Sequence, residues 1–219
     1  KCYNVTEKAD GSWDLSCWFG PKEALKRRNA LMNLPYIVDD DVVVSQSNAC
    51  LVYLGEKFGL LGATPRERIE CEQLLCEVMD LRNAMVKEFY GAGDLQQLLA
   101  KGADGKLAHL QMLGKLDAWI AAKGTSFLVG EAPTAPDFHL CELLDQLLKA
   151  GEVAAVPAPL EAYPRLAELH ARFFALAKMQ RYRRSHLAQF PINNKMAKFG
   201  ATPSGGAWTK GQAQDWCGD

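Results

Sequence analysis

No stretch of the sequence approaches the run of about 18 apolar residues that a membrane-crossing helix needs, because Gly, Pro or polar side chains break every uncharged segment. An excess of charge of one sign is missing too. With 25 Lys and Arg against 26 Asp and Glu, the net charge is −1. No general field therefore draws the chain to nucleic acid or to an anionic membrane, and neither is an expected partner. Histidine is scarce: the four residues, at 109, 139, 170 and 186, lack ligand spacing, and no metal is expected. There is no CxxC pair, which weighs against a thiol–disulfide oxidoreductase. The seven cysteines, at 2, 17, 50, 71, 76, 141 and 217, form an odd set best explained as buried free thiols of a reducing compartment. The cytoplasm is the expected location. The sequence begins at Lys rather than Met, so any signal or transit peptide would fall outside it, and an organelle stays open.

What is present is globular: 48% hydrophobic and 23% charged residues over 219 positions. Residues 1–58 are mixed and residues 64–190 read almost wholly as helix, so the expected division is a small domain at 1–58, a helical domain at 64–199 and a tail at 200–219. Tyr36–Asp39 and Val42–Val44 are short β-branched runs separated by Asp residues that favour turns, which predicts an antiparallel hairpin. Ser45-Gln-Ser-Asn48 can cap a following helix, on which Leu51, Leu54 and Phe58 recur at helical spacing until Gly59. Thr64-Pro-Arg-Glu67 is a capping box, and Cys71, Leu74, Leu75, Val78, Leu81 and Met85 make an apolar stripe that predicts a helix to about Tyr90. Leu107, Leu110, Leu113, Leu116 and Ile120 predict another, stopped at Gly124. Thr134 and Asp137 cap a third, Pro164–His170 opens a fourth, and Met179–His186 forms a short last one. The tail is Gly-rich, with Trp208 and Trp216 its only large residues.

The segment from Asn33 to Asn48 is the most informative. Leu34–Pro35 stands at the entrance of a strand, a place where cis peptides occur and where the Leu34 backbone can pair with an extended ligand. Gln46 and Ser47 fall in the first turn of the next helix, where free N–H groups and the positive dipole end favour a carboxylate. A peptide with a free carboxylate would satisfy both features. A plain hairpin followed by a capped helix would also account for them.

Leu34-Pro-Tyr-Ile-Val-Asp39, Ser45-Gln-Ser-Asn-Ala49 and Tyr53-Leu54 resemble the thioredoxin-like domain of the glutathione transferases. Trp18-Phe-Gly-Pro-Lys22, Asn33-Leu-Pro35 and Asn194-Lys-Met-Ala197 resemble the mu class in particular, over about residues 1–199. The resemblance implies an α/β plus all-α fold and a cis Leu34–Pro35 bond. It implies a glutathione site in which Trp18 and Lys22 hold the glycine carboxylate end. Asn33 lies in the matching motif, Leu34 pairs with the cysteinyl amide, and Gln46 and Ser47 take the γ-glutamyl end. It further implies that Asp80 reaches the γ-glutamyl amine of a neighbouring subunit in a homodimer, and that Tyr90 assists the electrophile. Other readings remain for each: Asp80 as a solvated helix acid, Tyr90 as a helix-end core residue, Trp18 as a packing residue, Lys22 as one of a basic run.

Two departures qualify the resemblance. The family's catalytic tyrosine follows its first strand, in a strand and helix that belong before Lys1. The mu-class arginine three residues before the tryptophan is Leu15 here. The expected function is transfer of the glutathione thiolate to small electrophiles, with glutathione as co-substrate. The alternative is an inactive transferase-like subunit of a larger protein assembly, a reading in which Leu15, an insertion before Asn33 and the two tail tryptophans would count.

Overall fold

The computed structural model describes residues 2–207. Two short antiparallel hairpins form first: β1 (Thr6–Glu7) with β2 (Trp13–Asp14), then, after helix α1 (Ser16–Lys26), β3 (Tyr36–Asp39) with β4 (Val42–Ser45). Asp40 occupies the turn with φ 52°, the left-handed backbone that Asp tolerates better than bulky residues. Helix α2 (Ser47–Phe58) leaves β4 directly and stops at Gly59, which is left-handed at φ 68°. Neither α1 nor the β1–β2 hairpin is legible in the sequence, since Gly20-Pro21 lies inside the helix and the strands are two residues each.

The rest is helical: α3 (Pro65–Tyr90), α4 (Leu95–Leu98), α5 (Gln111–Lys123), α6 (Ala135–Val153), α7 (Pro164–Ala175) and α8 (Ala177–Arg183), then a 3-10 turn at His186–Gln189. Both predicted capping boxes are present. Thr64 accepts from Glu67 N–H while the Glu67 carboxylate accepts from Thr64 N–H, and Asp137 does the same for Thr134. The core is the meeting of α3, α5, α6 and α7, with Leu74, Val78, Leu81, Met85, Leu113, Leu116, Leu140, Leu144, Leu166 and Leu169 all buried. Each such leucine contributes roughly 1.5–3 kcal/mol on burial, so this interface dominates the stability.

Several expectations are corrected. The helix predicted from Leu107 begins at Gln111. Leu107 is instead bridged to Lys101 and gives its N–H to the Tyr163 hydroxyl at 2.8 Å, so its spacing reports burial rather than helix. The last helix ends at Arg183, with the 3-10 turn taking over at His186. On α2 the buried residues are Cys50 and Gly55, while Leu54 and Phe58 face outward. A Cβ at Gly55 would lie 2.6 Å from the Leu61 side chain, so the absence of a side chain there lets the helix settle with its small residues inward. The cysteines are not one class. Cys50, Cys71 and Cys141 are buried free thiols, Cys76 is exposed, Cys17 is half-buried and Cys2 is disulfide-bonded. Trp208, Trp216 and Cys217 lie outside the described residues. Ala201 and Thr202, at the start of the predicted tail, are buried.

Candidate functional site

The end of the β3–β4 hairpin gathers most of the predicted site residues. Tyr36 pairs with Ser45 across the hairpin, so the chain entering β3 (Asn33, Leu34) lies beside the chain leaving β4 (Gln46, Ser47). Ser45 fastens them: its buried hydroxyl accepts from Asn33 N–H at 2.9 Å and donates to Asn33 C=O at 3.0 Å. The Leu34–Pro35 bond is cis, and Leu34 is exposed. In the sequence Ser45 reads only as a helix-capping residue; its position directly before Gln46-Ser47 is the signal of the clamp.

Gln46 is the N-cap of α2 and sits at φ 81°, ψ 133°, a left-handed conformation that is costly for a residue with a Cβ, on the order of 1–3 kcal/mol. No side chain caps the helix. Neither Gln46 nor Ser47 spends its side chain on a hydrogen bond to another described residue. The first-turn N–H groups and both side chains are thus uncommitted among the described residues at the positive end of a 12-residue helix, an arrangement able to take a carboxylate. Asn48 anchors this end to the helical region by donating to Leu75 C=O at 3.2 Å.

Trp18, buried in α1, reaches the same hairpin end. Its ring stacks on Tyr36 at 5.9 Å and meets the edge of Tyr3 at 5.0 Å. Lys22, one turn further along α1, places its ammonium 5.5 Å from the Trp18 ring centre, and no carboxylate among the described residues pairs with it. Trp18 thus packs into the hairpin end and at the same time carries the Lys22 ammonium near its ring. Tyr3 is committed elsewhere. Its hydroxyl is 2.6 Å from that of Tyr36, and burial, then this hydrogen bond, push its pKa up to about 12.

Asp80 is exposed on α3, without an ion-pair partner among the described residues. It lies five residues beyond Leu75, or about 7.5 Å of helix rise from the point where Asn48 ties α2 down. Tyr90 stands about 15 Å further along at the end of the helix, away from Gln46 and Ser47. Its hydroxyl donates to Asn193 Oδ1 at 3.5 Å and accepts from Asn194 N–H at 3.3 Å. Burial raises its pKa, opposed by the Asn194 hydrogen bond and the nearby Arg82 charge. Asn193 and Asn194, with residues 2–5 and 190–192, line a cavity of about 240 Å³. That cavity connects Tyr90's partners to Tyr3 and so to Trp18. Asn193 and Arg82 carry no signal in the sequence, and Asn194 stands there only within the Asn194–Ala197 motif, because their link to Tyr90 is not local. Among the described residues, no cluster of three or more His, Cys, Asp or Glu side chains could hold a metal. No helix there is long and apolar enough to cross a membrane.

Residues 79–186 match the family model described as glutathione S-transferase, C-terminal domain. The chain is similar to Glutathione S-transferase Mu 3 of Homo sapiens, 32% identical over 207 residues, covering 93% of this chain and 84% of the relative. This chain belongs to the mu-class glutathione S-transferases. Glutathione S-transferase Mu 1 of Oryctolagus cuniculus is 35% identical over 178 residues, covering 80% of this chain and 74% of the relative. The class-mu 26 kDa isozyme 51 of Fasciola hepatica is 32% identical over 193 residues, covering 87% and 82%. The fold is that of the glutathione S-transferases. A Pi-class glutathione S-transferase of Onchocerca volvulus superposes with a TM-score of 0.64 at 22% identity, over 81% of this chain and 83% of that one.

Proposed function

We propose that this mu-class chain binds glutathione at the hairpin end and transfers its thiolate to small electrophiles. The observation that carries the reading is the uncapped α2 N-terminus, with Gln46 held at positive φ beside the exposed Leu34 backbone. The γ-glutamyl carboxylate would take the Ser47 hydroxyl and the first-turn N–H groups, the cysteinyl amide would pair with Leu34, and the glycine carboxylate would meet Lys22 above Trp18. Residues 1–58 then act as the glutathione domain and residues 64–199 as the electrophile domain. The cavity between residues 2–5 and 190–195, closed at one side by the partners of Tyr90, is the electrophile site.

A thiol of pKa about 8.5 is mostly protonated at neutral pH, so catalysis needs a donor that stabilises the sulfur anion. Tyr3 is a poor candidate for that role, since its hydroxyl already engages Tyr36 and its acidity is depressed. Homodimerisation accompanies the reading. Leu31, Phe58 and Ile69 are 77%, 65% and 67% exposed. Phe58 and Ile69 lie on α2 and α3, the latter helix also carrying the unpaired Asp80, so a second copy would cover apolar surface and receive a carboxylate.

Calorimetric titration with glutathione, alongside turnover of a generic aryl halide, tests the proposal. Saturable binding that Gln46→Ala weakens at least tenfold, together with turnover, supports it. Absence of binding at millimolar glutathione overturns it. Binding without turnover favours the inactive subunit instead.

A further inference from the structure

Away from the hairpin end, α6, α7 and α8 enclose a second kind of pocket. Phe138, Phe173, Phe174, Met179 and Tyr182 wall a cavity of about 320 Å³, with Glu142 as its charged residue. Phe173 stands edge-on to Phe138 at 5.0 Å and to Phe174 at 5.3 Å, both near 90°, so the rings form a rigid corner rather than a slot. Phe173 and Phe174 are buried, while Phe138 and Tyr182 are 37% and 40% exposed and flank the mouth. The cavity shares no lining residue with the one between residues 2–5 and 190–195.

The charges around it are unequal. An adjoining cavity of about 400 Å³ shares Glu142, Phe174 and Tyr182 and adds Asp145 and Arg183. Asp145 is satisfied: His170 Nε2 lies 3.0 Å and Arg183 Nη2 2.9 Å from its Oδ1. Arg183 is thereby fixed 4.2 Å above the Phe174 ring, so one aromatic wall already hosts a cation. Glu142 has no such partner among the described residues. Its hydrogen bond is to the neutral Gln146 amide at 3.0 Å, one turn along the same helix. The Tyr182 hydroxyl senses the result, since burial and then the Glu142 and Asp145 charges make it harder to ionise.

Electron-rich ring faces beside an uncompensated carboxylate select a cation, and apolar walls exclude one that needs oxygen ligands, such as a metal ion. We propose that this pocket binds a free organic ammonium ion of the aryl- or alkyl-trimethylammonium class. The ammonium sits against Phe138 and Tyr182 within reach of Glu142, and the organic group fills the corner made by Phe173, Phe174 and Met179. The site is independent of the glutathione reading.

Titration of the full chain with benzyltrimethylammonium, against its uncharged isostere neopentylbenzene, tests this by ligand-observed NMR. The cation should bind roughly tenfold or more tightly than the isostere. Glu142→Gln should remove most of that preference and Glu142→Lys should abolish cation binding. Both changes are at an exposed position, so far-UV dichroism and retention on immobilised glutathione should match the parent. Equal affinity for the two probes, an unchanged preference in Glu142→Gln, or no binding of the cation would each overturn the proposal.

Discussion

The backbone N–H of Asn194 donates to the hydroxyl of Tyr90 at 3.3 Å, joining residues 104 positions apart in sequence. Tyr90 Oη in turn donates to Asn193 Oδ1 at 3.5 Å. One hydroxyl thus fastens the segment that lines the cavity against the end of α3. Tyr90→Phe keeps the ring and removes the fastening, so stability should fall by about 0.5–1.5 kcal/mol in urea unfolding. Amide exchange at 193–196 should accelerate, while glutathione binding at the distant hairpin end stays unchanged. Unaltered exchange there would refute the fastening role.

Ser45 and Ser47 are two residues apart and should behave oppositely. The Ser45 hydroxyl serves both backbone groups of Asn33, so Ser45→Ala removes two part-buried hydrogen bonds and should cost about 1–2 kcal/mol. Glutathione retention should fall with it, because the approach to Leu34 loosens. Ser47 makes no side-chain hydrogen bond to another described residue, so Ser47→Ala should leave the melting temperature within about 1–2 °C of the parent and weaken only glutathione binding. Calorimetry of both variants, with and without glutathione, separates clamp from ligand contact.

The sequence disclosed what is local. Thr64, Gly59, Gly124 and the Thr134–Asp137 pair act within one helical turn of their positions, and each was readable from residue type and offset. The closeness of Asn33 and Leu34 to Gln46 and Ser47 is legible for the same reason, since a hairpin brings them together whatever the rest of the chain does. The packing of Trp18 face-on against Tyr36 and edge-on against Tyr3, and the bonds between Tyr90 and Asn193–Asn194, are not legible there, because they depend on tertiary packing. The inverted face of α2 has the same origin: Gly55 against Leu61 sets the helix rotation, overriding the pattern of Leu51, Leu54 and Phe58.

Asp137 should be the most sensitive polar position. Fully buried, it accepts from Leu128 N–H at 2.9 Å and from the N–H and hydroxyl of Thr134 at 2.8 Å each. Burial raises its pKa, and these three donors oppose the rise. Asp137→Ala strands all three and opens the start of α6, so a loss of roughly 3 kcal/mol or more is expected. Asp137→Asn retains an acceptor oxygen and should recover part of it. Chemical unfolding of the two variants at neutral pH provides the comparison, and equal losses would mean that the carboxylate charge, not the hydrogen-bond acceptor, is what matters.

His139 gives the fold a dependence on pH. Its Nδ1 is buried with no hydrogen-bond partner among the described residues, and burial first, then the Arg82 charge, lower its pKa from 6.5 to about 4. The folded state thus resists a proton that the unfolded chain accepts. Above pH 6.5 neither state is protonated and His139 imposes no penalty. As pH falls from about 6.5 to about 4, the unfolded chain binds more protons and stability declines, by about 3 kcal/mol in all. Below pH 4 both states are protonated and the loss stops growing. Carboxylates contribute their own acid dependence, so the informative quantity is the parent's stability minus that of His139→Leu at each pH. That difference should fall steadily from pH 7 to 4, and a flat difference would show that His139 is not held neutral.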